Sequence, residues 1–408
     1  MFFKKQVILA GLVCLLATPS VAGAEGFGIV EWSAEGVAMG GARMFAEDDA
    51  ANIAYNPASI TKVKNKAYSM GAIYLSPHGK YDAQKKGAIG GGMEQGRNRV
   101  NPAIAPYAYY VEKINDKEWW GIGNFVRFGM VSEFEKGTLP TTNAQMSKLI
   151  GMSITPIYAR KLDKKWSAAI GAEFNYVGLT LNKKVITEPS TLASADTKAD
   201  GDSFGWGWNA ATNYAFDEKN EIGLVYRSKI SHDMTADFGM SNGFSTKARG
   251  KVVLPDSYTI GYNHKFDAKT RVEVQGMYTR WSTYESLDLK FDDVLPPSID
   301  RKDWSNGWRY AIGVEHKLSD KYTLLGGFAY DGSAIPKAHA DFMIPTGNRK
   351  TFTLGGQYHD KNQVLTVTLG YMSVGAKDIL GKPGDLFDSV HTHDNYVTLF
   401  GLGYQRKF

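Results

Sequence analysis

Apolar and polar residues alternate along the chain from about residue 66 to the C-terminus, with the period of two that is typical of β-strands. In residues 393–408, Phe400 and Leu402 share one face, whereas Gly401 and Gly403 lie on the opposite face. In other segments the second face carries threonine, arginine, glutamate and glutamine, which suits a wet or ligand-holding interior better than a dry core. Aromatic residues concentrate near the predicted strand ends, as in the interfacial girdles of membrane barrels: Trp304, Trp308, Tyr322, Tyr330, Tyr371, Tyr396 and Tyr404.

Fourteen segments follow this pattern, and single-chain bacterial barrels have an even number of strands. The predicted strands are residues 66–76, 102–113, 118–131, 151–162, 165–186, 203–216, 220–235, 246–266, 269–290, 304–318, 321–333, 349–360, 362–374 and 393–408. Tight turns alternate with long polar loops, as periplasmic turns and external loops do in outer-membrane barrels. The predicted long loops are residues 77–101, 132–150, 187–202, 292–303, 334–348 and 375–392. The predicted fold class is all-β and transmembrane: a 14-stranded antiparallel outer-membrane β-barrel over residues 66–408.

Residues 25–65 do not alternate and are rich in alanine and glycine, which predicts short helices. Ser33 is a predicted N-cap, and Asn56 caps a second helix whose first position is Pro57. A barrel of this width encloses an open lumen unless something fills it. We therefore predict that residues 25–65 form a small helical plug, or hatch, inside the barrel.

The first residues have the layout of a secretory signal peptide. Two lysines precede an apolar run that is too short to span a membrane, and Ala22 and Ala24 follow it. We predict a signal peptide over residues 1–24, with cleavage after Ala24 and cleavage after Ala22 as the alternative. Cys14 is the single cysteine, so the mature chain would have no disulfide or thiol chemistry. The formal net charge of +5 is too small to indicate a nucleic-acid partner.

Several segments resemble the FadL family of outer-membrane transporters for long-chain fatty acids and hydrocarbons. They are "GFGIVEWSAEGVAMGGARMFAEDDAANIAYNPASI" with the hatch motif Asn56, Pro57 and Ala58, then "INDKEWWGIGNFVRFGMVSEF" at 114–134, "LPDSYTIGYNHKF" at 254–266, "GWRYAIGVEHKLSDKYTLLGGFAYDGSAIP" at 307–336, and the final Phe408. The resemblance covers nearly the whole mature chain in the order of the family. It implies a 14-stranded barrel with an N-terminal hatch, and no enzymatic activity.

The resemblance also implies a transport route and partners. A hydrophobic ligand would be captured at external loops, pass to a pocket beside the hatch, and leave sideways through the barrel wall into outer-membrane lipid. The implied lateral-opening region comprises Trp120, Gly121, Gly123 and Gly129. The final Phe408 would be the signal for the barrel assembly machinery, although Arg406 stands where the family commonly has an aromatic residue. A monomer is expected.

Transport of a fatty acid requires no bond chemistry, so no catalytic residue and no cofactor are predicted. An apolar surface must hold the tail, and the predicted apolar contacts are Phe27, Ile29 and Trp32. A basic group must meet the head group, and the planar fork of arginine suits a carboxylate. Strand parity points a set of basic side chains inward, where each could instead pair with a neighbour such as Glu315: Arg309, Arg349, Lys247, Arg249 and Lys251.

Other functions fit the sequence less well. His391 and His393 could share one side of a strand, but no third metal ligand lies close in sequence, so no metal site is predicted. A general diffusion porin would not need residues 25–65, and an outer-membrane enzyme barrel would cluster His, Ser and Asp at the strand rims. A secreted soluble β protein would need neither the plug nor the terminal Phe408. The sequence leaves open whether the cargo is a fatty acid, an aromatic hydrocarbon or a terpenoid.

Overall fold

The structure is a computed structural model that describes residues 26–188, 190–293 and 295–408. The predicted signal peptide and both candidate cleavage sites lie outside the described residues. Within the described ranges, no helix combines the length and apolar character needed to cross a membrane.

The chain begins with three short helical elements. They are α1 (Ala34–Ala38), α2 (Asn52–Tyr55) and a 3₁₀ helix (Pro57–Lys62). The Ser33 side chain accepts a hydrogen bond from the Gly36 amide, and the Asn56 side chain accepts one from the Ala58 amide. Both predicted caps are therefore confirmed, and Pro57 stands at the start of the 3₁₀ helix, where its missing N–H is not needed.

Strands make up most of the rest of the described chain. They are β1 (Lys66–Lys85), β2 (Met93–Arg97), β3 (Ala103–Asn115), β4 (Glu118–Glu133), β5 (Met146–Lys161), β6 (Trp166–Glu188), β7 (Ala193–Ala215), β8 (Asn220–Arg227), β9 (Ile230–Met240), β10 (Ser245–Leu254), β11 (Ser257–Lys265), β12 (Thr270–Thr279), β13 (Ser286–Phe291), β14 (Ser298–Arg301), β15 (Gly307–Lys317), β16 (Tyr322–Asp331), β17 (Arg349–Asp360), β18 (Gln363–Val374), β19 (Lys377–Leu380) and β20 (Phe387–Lys407). Four short 3₁₀ helices lie in the connections: Gly87–Ile89, Leu139–Thr142, Trp281–Thr283 and Lys337–His339.

The sheet is antiparallel and closes on itself. β1 pairs with β3 on one side and with β20 on the other, so Tyr68 lies opposite both Tyr110 and Arg406. Five passes consist of two strands in line, namely β8 with β9, β10 with β11, β12 with β13, β14 with β15, and β18 with β19. β2 is an additional strand that pairs with β1. The described strands therefore make fourteen passes, and the predicted 14-stranded barrel is confirmed.

Several predicted loops are in fact strand. Residues 193–202 belong to β7 and not to a long loop, and residues 387–392 belong to β20. Residues 77–85 continue β1, which pairs with β20 as far as Phe387. These hairpin ends carry polar residues on their outward faces, which weakens the hydrophobic alternation from which strands are predicted.

Residues 26–65, here called the hatch segment, are enclosed by the barrel. α1 contacts β16, β17, β18 and β20, while the Pro57–Lys62 helix contacts β4, β5, β6 and β7. Glycines in the wall permit this close packing: a Cβ atom on Gly327 would lie 2.1 Å from the Gly40 nitrogen. A plug in contact with strands on several sides of a closed sheet fills the lumen at this level.

Charged groups connect the hatch segment to the wall. Arg43 pairs with Asp49 of the hatch segment at 3.1 Å and with Glu315 of β15 at 3.4 Å. The Met44 amide donates to the Glu273 carboxylate at 2.7 Å, and Lys62 pairs with Glu221 at 2.7 Å. Breaking a buried pair by removing one partner is costly, so these bonds hold the body of the hatch segment in place.

Candidate functional site

A cavity of about 620 Å³ lies beside the first residues of the hatch segment. The hatch segment contributes residues 26–31 to its lining, the wall contributes parts of β3, β4 and β5, and the connection after β16 contributes residues 343–346. The lining is mainly apolar, with charged groups in two places: Glu31, Arg309, Asp331 and Arg349 on the luminal side, and Glu133 and Lys148 on β4 and β5. This arrangement suits a long hydrophobic molecule with a small polar end.

Phe27 lies in a cage of aromatic rings next to the cavity. Its ring centroid is 4.7 Å from that of Trp281, 5.5 Å from Tyr284, 5.7 Å from Trp304 and 6.0 Å from Phe128. The tryptophans and Tyr284 come from the regions where the ninth and tenth passes are interrupted, between β12 and β13 and between β14 and β15. Sequence reasoning missed this cage because its members are distant in the chain and fall in segments predicted as regular strands. Trp304, predicted for an interfacial girdle, is instead buried against Phe27.

The luminal side of the cavity contains two arginines and two acids. Arg309 pairs with Asp331 at 3.1 Å and donates to the Gly40 carbonyl at 2.6 Å, while Arg349 donates to the Gly26 carbonyl at 2.6 Å. Burial raises the pKa of Glu31, whose carboxylate accepts a hydrogen bond from the amide of its neighbour Val30. Arg309 and Arg349 do line the cavity, but Arg309 already has protein partners, and Glu31 adds a further acid.

The connection between β16 and β17 forms the roof of the cavity. Phe342 packs with Phe134 at 4.8 Å and Phe387 at 5.8 Å. The roof is also held by Lys302, which is 2% exposed and bonds to Asp341 and to Asp300. Burial alone would lower the pKa of Lys302, but the carboxylates of Asp341 and Asp300 outweigh it and raise that pKa. These contacts fix the connection over the cavity.

The barrel wall is incomplete between β3 and β4. The two strands pair from Asn115 and Glu118 only as far as Ala108 and Asn124. Beyond that point the only described strand paired with β3 is β1, and the only one paired with β4 is β5, after a register shift at Arg127. At the far end of β4 the Arg99 amide donates to the Glu133 carbonyl at 2.7 Å, which bounds the gap. The gap lies next to the cavity, whose lining includes Ile104 on one side and Ile150 on the other.

The first residues of the hatch segment occupy this gap. The Ile29 amide donates to the Arg127 carbonyl, and the Gly129 amide donates to the Phe27 carbonyl, both at 2.9 Å. Gly28 and Phe128 thereby form an isolated antiparallel bridge. The hatch segment thus provides β4 with hydrogen-bond partners where β3 does not.

The predicted lateral-opening residues fall in two places. Gly129 lies at the gap, but Trp120, Gly121 and Gly123 lie in the paired part of β3 and β4, opposite Glu112, Val111 and Tyr109 respectively. Their placement at an opening is therefore wrong: the ladder is intact at these three residues, and the separation begins only after Asn124.

Only some of the predicted apolar ligand contacts lie at the cavity. Phe27 and Ile29 line the cavity, whereas Trp32 does not. The Trp32 ring packs against Tyr55 of the hatch segment at 5.3 Å and against Phe125 of β4 at 5.5 Å, between the plug and the barrel wall.

Arg249 is not in the lumen, and its predicted inward orientation is wrong. Its side chain is exposed and pairs with Asp292 at 2.9 Å, while Ala248 and Val252 are the buried residues of β10. The prediction assumed that the same alternate residues point inward throughout residues 246–266. Pro255 and Asp256 interrupt the pass, and the inward-facing residues change from even-numbered in β10 to odd-numbered in β11. Lys247 and Lys251 share the outward parity of Arg249 and are exposed as well.

The remaining predicted residues have structural environments. The Asn56 amide donates to the side chain of Asn213 on β7, and Pro57 and Ala58 are buried in the hatch segment. The Phe408 amide donates to the Lys66 carbonyl at 2.9 Å, where the last and first strands meet. His391 and His393 stack near Asp378, and the described ranges contain no cluster of three or more residues that could hold a metal ion.

Comparisons with known proteins agree with this architecture. The family model "Outer membrane protein transport protein (OMPP1/FadL/TodX)" matches residues 15–408. Outer membrane protein P1 of Haemophilus influenzae is 29% identical over 459 residues, covering 99% of each chain. The long-chain fatty acid transport protein of Escherichia coli K12 is 24% identical over 411 residues, covering 89% of this chain and 91% of its own.

Solved structures show the same fold at low sequence identity. A Pseudomonas aeruginosa FadL homologue has a TM-score of 0.85 and 16% identity, with 94% of this chain and 100% of the other covered. The Pseudomonas putida toluene transporter TodX has a TM-score of 0.72 and 16% identity, with 94% and 99% covered.

Proposed function

The chain belongs to the outer membrane protein transport family (OMPP1/FadL/TodX), and we propose that it takes up long-chain fatty acids or similar hydrophobic molecules by lateral exit through the barrel wall. The protein is an outer-membrane transporter and not an enzyme. In the proposed route, cargo is captured at the external hairpins, enters the cavity beside Phe27, and leaves between β3 and β4.

The course of the cavity is the observation that carries this proposal. One end lies in the lumen at Phe27 and Arg309, and the other reaches Ile104 and Ile150. These two isoleucines are 66% and 39% exposed on the outer surface of the barrel. Cargo that follows this course would move from the lumen into the bilayer without entering water, so its tail would stay desolvated.

The lining favours a hydrophobic chain over a hydrophilic solute. Burial gains about 0.8 kcal/mol per CH₂ group, so a sixteen-carbon chain that is fully buried would gain roughly 10 kcal/mol. Of the two arginines on the luminal side, Arg349 is the better candidate for the head group. Its only hydrogen bond found within the described residues goes to a backbone carbonyl, whereas Arg309 is already paired with Asp331.

A second, smaller cavity has an apolar lining but would have to widen to admit a hydrocarbon chain. It has a volume of about 20 Å³ and lies between the external ends of β6, β7, β9, β10 and β13. Its lining is apolar, with Leu179, Leu181, Met234, Val252, Leu287 and Leu289. Met234 and Val252 belong to the same cluster of buried apolar residues as Phe27, so contacting apolar side chains join the linings of the two cavities.

The gap is blocked in this conformation, so transport requires the start of the hatch segment to move. Gly28 and Phe128 face each other as a non-hydrogen-bonded antiparallel pair, and such pairs have Cα atoms about 4.5 Å apart. A disulfide can bridge that separation. Because the described residues contain no cysteine, G28C/F128C would place a single bridge between the hatch segment and β4.

The test is uptake of labelled oleate by cells that lack their own long-chain fatty acid transporter. The reduced double variant should transport at the rate of the F128C single variant, and oxidation should lower that rate at least tenfold. Uptake that is indifferent to oxidation would contradict the proposed exit. Passage of small hydrophilic solutes at porin-like rates would favour the porin alternative, and competition by toluene would distinguish the cargo classes.

A further inference from the structure

The gap between β3 and β4 is associated with a buried arginine whose role the transport proposal does not explain. Arg127 is the residue at which β4 changes register, between Val126 and Phe128. Its side chain is only 4% exposed and points into the lumen. A bulge of this kind bends its strand and locally disrupts the hydrogen-bond ladder.

Arg127 has four bonding contacts in three places. Its guanidinium donates to both oxygens of Glu173 on β6 at 3.2 Å, to the Ser228 carbonyl at 3.4 Å and to the Pro255 carbonyl at 3.2 Å. The planar, multidentate guanidinium can satisfy acceptors in different directions at once, which an ammonium group cannot do as well.

The two carbonyl partners are themselves at interruptions of the barrel wall. Ser228 lies between β8 and β9, and Pro255 lies between β10 and β11. At each of these breaks the inward-facing positions switch between odd-numbered and even-numbered residues, as they do at Arg127 in β4. Backbone groups inside a membrane barrel need partners, and a broken ladder leaves carbonyls without them. Arg127 therefore donates hydrogen bonds to carbonyls at two other breaks, where the strands themselves provide no donor.

The same acid connects the bulge to the hatch segment. Glu173 is fully buried and lies 3.6 Å from Arg227, which donates to the Ile53 and Ala54 carbonyls of the hatch segment. Ser153 also donates to Glu173 at 2.7 Å. Because Glu173 is held by several groups, it provides a fixed point toward which Arg127 draws the bulge of β4.

We propose that Arg127 is the positioning residue that holds β4 away from β3, so that the wall opening is built into the barrel by a side chain reaching across the lumen. On this proposal the hatch segment fills a gap that Arg127 maintains. The role of that gap as an exit rests on the proposed function, whereas the positioning role of Arg127 does not.

The test compares four variants by hydrogen exchange of the Ile29 and Gly129 amides, which bond across the gap, and by oleate uptake. Arg127→Ala should speed exchange of both amides at least tenfold and lower uptake to a similar extent. Arg127→Lys keeps the charge but not the fork, so its effect should be smaller, about threefold. Glu173→Gln should also loosen both amides, since it removes the charge that Arg127 faces.

Arg249→Ala is the control. Arg249 is also an ion-paired arginine of the barrel wall, but its side chain is exposed and its fork binds Asp292 outside the lumen, away from the hatch segment. This variant should leave the exchange of Ile29 and Gly129 unchanged. The Val37 amide, which bonds to the Ser33 carbonyl in α1, should keep its protection in every variant.

The outcomes separate the two proposals. Unchanged protection of Ile29 and Gly129 in Arg127→Lys and Glu173→Gln would overturn the positioning role, even if Arg127→Ala failed to fold. Lost protection with normal uptake would support the positioning role and contradict lateral exit. Loss of protection throughout the hatch segment would show a general structural effect and would overturn the specific role.

Discussion

Ile29 of the hatch segment packs over Gly129 of β4, in the space that a side chain at position 129 would take. A Cβ atom on Gly129 would lie 2.6 Å from Cδ1 of Ile29, closer than real Cβ contacts allow. This contact connects the start of the hatch segment to β4, the strand that borders the wall opening. A glycine here leaves room for the hatch residue that fills the gap.

Gly129→Val should therefore lower uptake roughly tenfold, equivalent to about 1.4 kcal/mol, because the new side chain occupies the gap that cargo must cross. Ile29→Ala in the same chain should restore part of the rate, since it removes the competing side chain. Gly326→Val is the control, because a Cβ atom at that strand glycine meets no atom within 4 Å. Labelled oleate uptake, normalised to folded barrel, measures the effect. A Gly129→Val rate equal to that of Gly326→Val would contradict the prediction.

The barrel could be predicted from sequence because alternation is a local signal. The fourteen strands and the capped helices at Ser33 and Asn56 follow from patterns within a few residues, whereas the plug was inferred from the need to fill the lumen. The prediction of which side chains point inward failed where a pass is interrupted. Pro255 shifts the alternation by one residue, and Arg249 therefore points outward. A single local period cannot carry information across such a break.

The gap and the polar network could not be predicted in the same way. Arg127 and Glu173 are 46 residues apart, and their ion pair exists only because the closed sheet brings their strands to one level. The resemblance to the FadL family indicated the right strand for the opening but placed three of four residues in the paired half of β4. Of the four residues, only Gly129 lies at the gap. The bulge at Arg127, where the gap begins, has no signature in the sequence pattern.

Lys302→Met should loosen the roof of the cavity. Removal of one partner from a buried ion pair typically costs about 3–5 kcal/mol, and Asp341 would be left without its main cation. Hydrogen exchange of the Phe342 amide, which donates to Asn143, should accelerate by at least 100-fold. Lys337→Met is the control, because Lys337 lies in the same connection with 69% of its side chain exposed and pairs with Asp378. Equal exchange rates of the Phe342 amide in the two variants would show that Lys302 does not hold the roof in place.

Glu31→Gln should change how pH affects the binding of a carboxylate. Burial raises the pKa of Glu31 above its ordinary value of 4.5, so the folded protein binds this proton more tightly than the unfolded chain does. The stability that this provides is present below pH 4.5 and is lost as pH rises through the higher folded pKa. Above that pKa the ionised Glu31 also repels an anionic head group in the cavity.

Palmitate affinity should therefore be about tenfold higher for Glu31→Gln than for the natural protein at pH 8, with the two converging near pH 4. Comparing the proteins at each pH cancels the titration of palmitate itself. Hexadecanol, which has no charge, is the control ligand and should show little difference between the two proteins. Displacement of a fluorescent fatty acid in detergent gives both affinities. A palmitate ratio that stays constant from pH 4 to pH 8 would show that Glu31 does not act on the head group.

Asn56 provides a way to separate the shape of the hatch segment from ligand binding. Its side-chain oxygen caps the Pro57–Lys62 helix through the Ala58 amide, and its nitrogen donates to Asn213 of the wall. Asn56→Ala removes both bonds and should cost about 1–2 kcal/mol of local stability. Asn56→Asp retains the cap but cannot donate to Asn213, so Ala58 should stay protected from exchange in Asn56→Asp and lose protection about tenfold in Asn56→Ala. Palmitate affinity should be unchanged in Asn56→Ala, because Asn56 does not line the cavity. A fall in affinity that tracks the loss of Ala58 protection would instead mean that the helix and the cavity form one cooperative unit, and that the start of the hatch segment cannot move alone.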